Sequence, residues 1–178
     1  FETLIRAYWK TVYKYIRIKW RKDNEVAKDL TQAFFARALE KTVLEAYDPR
    51  RARFRTFLRT CVDNFVANEH KAGRRLKRGG AVVILSLDFD EAEGELSRLD
   101  PPAPKTPSAP DAADAFFDRE WLRSLFAMAI DELSEQLRGR GKESSFRVFE
   151  RYDVRGAASD EPTYAEVAAE LGLSVSEV

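Results

Sequence analysis

The sequence predicts an all-α protein: two small helical domains joined by a long proline-rich linker. Apolar residues recur at helical spacing through residues 1–80 and again from 114 to 178. Between them, five prolines fall from Pro101 to Pro110, a density no core helix tolerates. The two halves also differ sharply in charge. Residues 1–80 hold 20 Lys and Arg against 9 Asp and Glu, a formal +11, whereas residues 81–178 hold 10 against 21, a formal −11. A length of 178 residues suits two small domains. The expected layout is therefore 1–80, a linker over 81–113, and a second helical domain over 114–178.

The first helix is expected over 4–20, where Ile5, Tyr8, Val12, Tyr15 and Ile16 share one face and Arg6, Lys10, Lys14 and Arg17 lie mostly off it. Asp23 and Asn24 supply N-cap chemistry for a second helix over 25–40, with Val26, Leu30, Ala33, Phe34 and Ala38 along its apolar stripe. A short apolar turn, Val43 to Ala46, leads to Asp48-Pro49, a stop, because proline disfavours a helical residue before it. Phe54, Phe57, Leu58, Cys61, Val62, Phe65 and Val66 then mark one face of a third helix, ended by Gly79-Gly80. From Ala81 the chain is expected to be extended, with no regular structure over 90–112, because proline removes amide donors and the acidic residues repel. Helical patterning resumes with Phe117, Trp121, Leu122, Leu125, Ala129, Leu133 and Leu137, and further helices are expected over 143–152 and from Thr163.

One cysteine, Cys61, and one histidine, His70, exclude a disulfide framework and a Cys/His zinc site, and fit a reducing cytoplasm. The apolar run from Ala81 to Leu85 is too short to span a bilayer. No metal and no cofactor is expected. The chain opens on Phe1 rather than methionine, so the natural start is expected upstream.

The charge divide points to a polyanion partner for the first half. Its bland alternative is two surfaces of opposite sign that attract each other. The clustering of the basic residues argues against it: Arg50, Arg51, Arg53, Arg55, Arg59, Lys71, Arg74, Arg75, Lys77 and Arg78 face only Asp63 and Glu69 over 50–78. Helical geometry places Arg55, Arg59, Asn64, Asn68, Lys71 and Arg75 on or beside the side opposite the apolar stripe. Interleaved Arg and Asn is chemistry suited to phosphates and base edges.

At the other end, Thr163-Tyr-Ala-Glu166 reads as a capping box, Gly172 as a left-handed stop, and Ser174-Val-Ser-Glu177 as a second capping box. Helix, tight turn and second N-cap at this spacing predict a helix-turn-helix. Ser174 and Ser176 open its second helix and are the candidate duplex contacts there. The sequence stops at Val178, one turn into that helix, so the second domain is expected to be truncated at its C-terminus.

A third segment, DLTQAFFARA at 29–38, is by itself an ordinary amphipathic helix. Together with FRTFL at 54–58, DNFVANEHK at 63–71 and TYAEVAAELGLS at 163–174, it resembles the bacterial RNA polymerase sigma factors of the extracytoplasmic-function (ECF) group. Ala33 stands where that family carries an acidic residue, and the block at 63–71 departs from the family's pattern. Asp48–Leu58, Lys77–Gly80 and Ser86–Phe89 match signatures of one subgroup.

The resemblance implies a non-enzymatic protein with sigma region 2 at 1–80 and sigma region 4 at 114–178. Asp29, Leu30, Gln32 and Phe35 would dock on the β′ clamp helices of core polymerase, and region 4 would meet the β flap. Arg50, Arg51, Arg53, Arg55, Arg59, Asn64, Asn68, Lys71, Arg74 and Arg75 would hold the minus-ten promoter element, with the Asp48–Arg53 loop as a base pocket. The helix-turn-helix would read the minus-thirty-five duplex, and the acidic linker would thread the RNA-exit path. An anti-sigma factor and a monomeric free state are further expectations.

Three rivals stand beside this reading. An enzyme would need a phosphate loop, a nucleophile–base pair or a metal cluster, and the sequence offers none of these. A helix-turn-helix repressor or activator that ignores core polymerase accounts for 163–178 but leaves the DLTQ segment without a role. A helical scaffold binding only protein leaves the basic cluster unexplained.

Overall fold

The structure is a computed structural model that describes residues 2–40, 45–71, 87–99, 110–154 and 162–177. Its helices are α1 (Glu2–Lys19), α2 (Asn24–Glu40), α3 (Phe54–Lys71), α4 (Phe89–Arg98), α5 (Pro110–Gly139), α6 (Glu143–Phe149) and α7 (Tyr164–Leu171). No strand occurs among the described residues. The chain divides into two compact units, Phe1–Leu125 and Phe126–Val178, and the division falls inside α5.

In the first unit the predicted stripe of α1 is buried: Ile5, Tyr8, Val12, Tyr15 and Ile16 all lie in the core. The helix ends at Lys19, and the chain turns through Arg21 at φ 48°. Asp23 then caps α2, its carboxylate accepting from the Val26 amide at 2.8 Å. α2 packs on α1 and α3 through Ala27, Leu30, Phe34 and Phe35, and α3 contributes Leu58, Val62, Phe65 and Val66.

α4 is a correction to the expected linker. Residues 89–98 are helical, and Asp88 caps them by accepting from the Glu91 amide at 2.9 Å. Phe89, Ala92 and Leu96 are buried, and the Phe89 ring meets Trp9 and Tyr13 edge-on at 5.4 and 5.3 Å. The acidic residues that were expected to repel one another instead face cations on α1 and α2. The prolines do not oppose this helix, since the first of them, Pro101, lies beyond its end.

α5 also starts before the expected boundary at 114, with Pro110 as its first residue, a position where the missing N–H costs nothing. Phe116 and Phe117 are buried, and residues up to Leu125 belong to the first unit. The stretches 72–86 and 100–109 lie outside the described residues, and with them the expected stop at Gly79-Gly80, the apolar run and most of the prolines.

The second unit holds the rest of α5, α6 with a π-helical turn at Glu150–Val154, and α7. The helix expected over 143–152 is thus present. Phe146 and Val167 are buried here, and Tyr152 stacks on Tyr164 with ring centroids 5.5 Å apart. The capping box of α7 forms in full: the Thr163 hydroxyl accepts from the Glu166 amide, and the Glu166 carboxylate accepts from the Thr163 amide at 2.8 Å. Gly172 ends α7 at φ 68° and ψ 33°, where a side chain would be strained. The second expected capping box appears as a single 3-10 turn, Val175–Glu177.

Candidate functional site

The loop before α3 is organised by Asp48. Its carboxylate accepts from the Arg50 amide at 3.0 Å and from the Arg50 guanidinium at 3.1 Å. The Arg50 side chain, then its amide, hold the Asp48 carboxyl below the usual carboxylate range. Arg50, Arg51 and Arg53 are exposed around this turn. Beside it Tyr47 packs on Phe54 and Phe57 at 5.1 and 5.4 Å, and Phe54 packs on Tyr8 at 5.6 Å. Exposed guanidinium groups form a surface that attracts phosphates.

Along α3, Asn64 and Asn68 are exposed, as the helical spacing predicts. Arg55 and Arg59 are not on an open face. Arg55 Nε lies 3.5 Å from an Asp118 carboxylate oxygen, and the guanidinium sits 4.1 Å from the centre of the Trp121 ring. The Arg59 guanidinium is 2.7 Å from the Asp114 carboxylate. Their side chains are 24% and 16% exposed, because the first turns of α5 lie against them. Lys71 closes α3, but its side chain and all of Arg74 and Arg75 lie outside the described residues.

The DLTQ segment needs a similar correction. Asp29 is exposed and Gln32 half-buried, so both are available to a partner. Leu30 is 4% exposed and Phe35 is fully buried, so these two support the helix from within the core and present no surface. The Thr31 hydroxyl donates to the Ala27 carbonyl at 2.7 Å, which leaves it no outward role.

Two further groups escaped the sequence reading. Asp63 gathers the Tyr15 hydroxyl at 3.0 Å, the Lys19 ammonium at 2.7 Å and the Trp20 indole N–H at 3.0 Å. It ties the end of α1 to α3. Burial first, then the Asp63 carboxylate, push the Tyr15 phenol well above its ordinary pKa. The second group is the acidic face of α4. Lys10 pairs with Glu91 and Glu95, both at 2.9 Å, Arg17 pairs with Glu93, and Lys28 reaches Asp90 at 3.4 Å. Lys14, expected off the buried face, is enclosed between Glu95 at 2.6 Å and Glu120 at 2.7 Å. Part of the charge divide is therefore answered inside the chain, by the attraction that the clustering of basic residues had seemed to exclude. The exposed Arg50, Arg51 and Arg53 remain outside that neutralisation.

In the second unit, Ser174 and Ser176 are exposed with their hydroxyl oxygens 3.0 Å apart.

An exposed basic loop beside packed aromatic rings thus precedes a helix bearing exposed asparagines. The Sigma-70 region 2 family matches residues 2–76, which span α1, α2 and α3. The match is a likeness to the sigma-70 family of sigma factors over 75 of the 178 residues. No curated protein and no solved structure matches the chain. Among the described residues, no helix is long and apolar enough to cross a membrane.

Proposed function

We propose that this chain is a sigma factor of the ECF group, a non-enzymatic protein that directs RNA polymerase to promoters and opens the minus-ten element. The observation that carries the reading is the coincidence of the region 2 match over 2–76 with an exposed Asp29 and a half-buried Gln32 on α2 and an exposed basic loop before α3. Asp29 and Gln32 would meet the β′ clamp helices. Arg50, Arg51 and Arg53 would draw in the non-template strand, with Asn64 and Asn68 beside it. Unstacking a base costs a few kcal/mol, which phosphate contacts and stacking on aromatic rings offset.

The capping box of α7, its left-handed Gly172 and the 3-10 turn after it favour a region 4 helix-turn-helix for the second unit, which would read the upstream duplex and meet the β flap. The protein would act in the cytoplasm, without a cofactor.

Gel filtration with purified core polymerase, followed by transcription from a promoter library, tests the proposal. Co-elution and promoter-dependent transcripts are expected. A chain that binds DNA yet never co-elutes with core enzyme is a conventional repressor or activator, and the sigma assignment then fails.

A further inference from the structure

The ion pairs between α3 and α5 have matched registers. Arg55 and Arg59 are one turn apart on α3, and their partners Asp118 and Asp114 are one turn apart on α5. The two aspartates are therefore about 6 Å apart along the helix axis. Two negative charges at that spacing present to the arginines what two phosphates of a single strand would present.

The interface that carries these aspartates contains costs as well as gains. Phe117 is fully buried, with its ring edge-on to Tyr15 at 5.1 Å. Against that gain, the docked helix also buries the Glu120 carboxylate beside Lys14, and desolvating two charges takes back most of their attraction. Among the described residues the Trp121 indole N–H is buried without a well-formed hydrogen bond, a loss that water would repair on release. The face beneath α5 is continuous in sequence with the exposed Arg50, Arg51 and Arg53, where a polyanion would first arrive.

We propose that residues 110–125 of α5 form a displaceable clasp whose Asp114 and Asp118 occupy Arg59 and Arg55 in place of nucleic-acid phosphates, so that single-stranded DNA and the clasp compete for the same two guanidinium groups. The inference rests on the nucleic-acid part of the proposed function. It adds that the free protein holds part of its own DNA surface closed.

The test compares Asp114→Asn/Asp118→Asn with Asp131→Asn/Glu135→Gln, which makes the same charge change at exposed positions farther along α5. Binding of a fluorescent single-stranded oligonucleotide is followed by anisotropy at low salt. The first variant should bind about 5- to 30-fold more tightly than the parent, the range of an ordinary coupling between two sites. The control should change affinity by less than about twofold, the effect of a distant screened charge. Hydrogen exchange over 110–125 in the parent should quicken when the oligonucleotide saturates it. Equal gains in both variants, unchanged exchange, or no binding by any form overturns the clasp. Co-elution with core polymerase is scored separately and needs neither arginine, so the clasp can fail while the sigma assignment stands.

Discussion

Lys14 on α1 and Glu120 on α5 form an ion pair at 2.7 Å with side chains only 4% and 1% exposed, although 106 residues separate them in sequence. The pair fixes where α5 meets α1, and Arg123 shares the same carboxylate. Removing Glu120 leaves the buried Lys14 ammonium with the Glu95 carboxylate as its counter-charge and takes away one charged hydrogen bond. Glu120→Ala should therefore destabilise the first unit by about 1–3 kcal/mol in urea unfolding. Lys14→Met combined with Glu120→Leu should recover most of that loss, because apolar residues of similar size fill the site without a desolvation cost. If the double variant is no more stable than Glu120→Ala, the burial of charge is not the source of the effect.

Acid should loosen α4 from α1. The hydrogen bond from Arg17 holds the Glu93 carboxyl below its ordinary 4.5. Burial pushes Glu95 upward, but hydrogen bonds from Lys14 and Lys10 outweigh it and the net shift is also downward. A carboxyl depressed in the folded state contributes stability above its unfolded value, and that contribution is lost as pH falls through the folded value. The melting temperature should consequently drop as pH is lowered below about 4.5. Glu93→Gln should melt lower at neutral pH and show a shallower acid drop. Parallel acid profiles for the two proteins would remove Glu93 as a cause.

On α2 the two kinds of candidate residue should separate cleanly. Asp29→Ala with Gln32→Ala should leave the melting temperature nearly unchanged and weaken binding to core polymerase. Leu30→Ala should instead cost about 2–5 kcal/mol of stability, and Phe35→Ala about 3–5 kcal/mol, since both open cavities in the core. A titration showing full polymerase affinity for the Asp29/Gln32 variant would reject this surface as the docking site.

Arg21 adopts a left-handed conformation after α1 that a side chain pays for and glycine does not. Arg21→Gly should raise stability by about 0.5–1 kcal/mol, the strain relieved less the entropy that glycine adds to the unfolded chain. Denaturant midpoints measure this directly, and a lowered midpoint would show that the Arg21 side chain contributes more than its backbone strain costs.

Much of the fold was legible because it rests on local rules. The stripe from Ile5 to Ile16, the cap at Asp23 and the box Thr163–Glu166 each need neighbours within a few turns, and each formed as read. α4 was legible in principle, through Asp88 as a cap and Phe89, Ala92 and Leu96 at helical spacing, but its acidic residues read as mutually repulsive without the cations of α1 in view. The site was harder. A motif match gave Leu30 and Phe35 the same standing as Asp29, although helical geometry turns them inward. Arg55 and Arg59 do lie off the apolar stripe of α3. What covers them comes from α5, more than 50 residues later, and no periodicity within one helix can announce that.

The packing of Phe89, Ala92 and Phe117 into the core of α1–α3 has a consequence for how the protein is made. Nascent chains fold from the amino terminus as they emerge. When residues 1–80 have left the ribosome, Trp9 and Tyr13 still lack the Phe89 ring that covers them, and Tyr15 still lacks Phe117. The first unit completes itself only after α4 and the start of α5 have been synthesised. During that interval its unfinished apolar face is a target for chaperones, and a fragment cut after α3 would keep that face permanently.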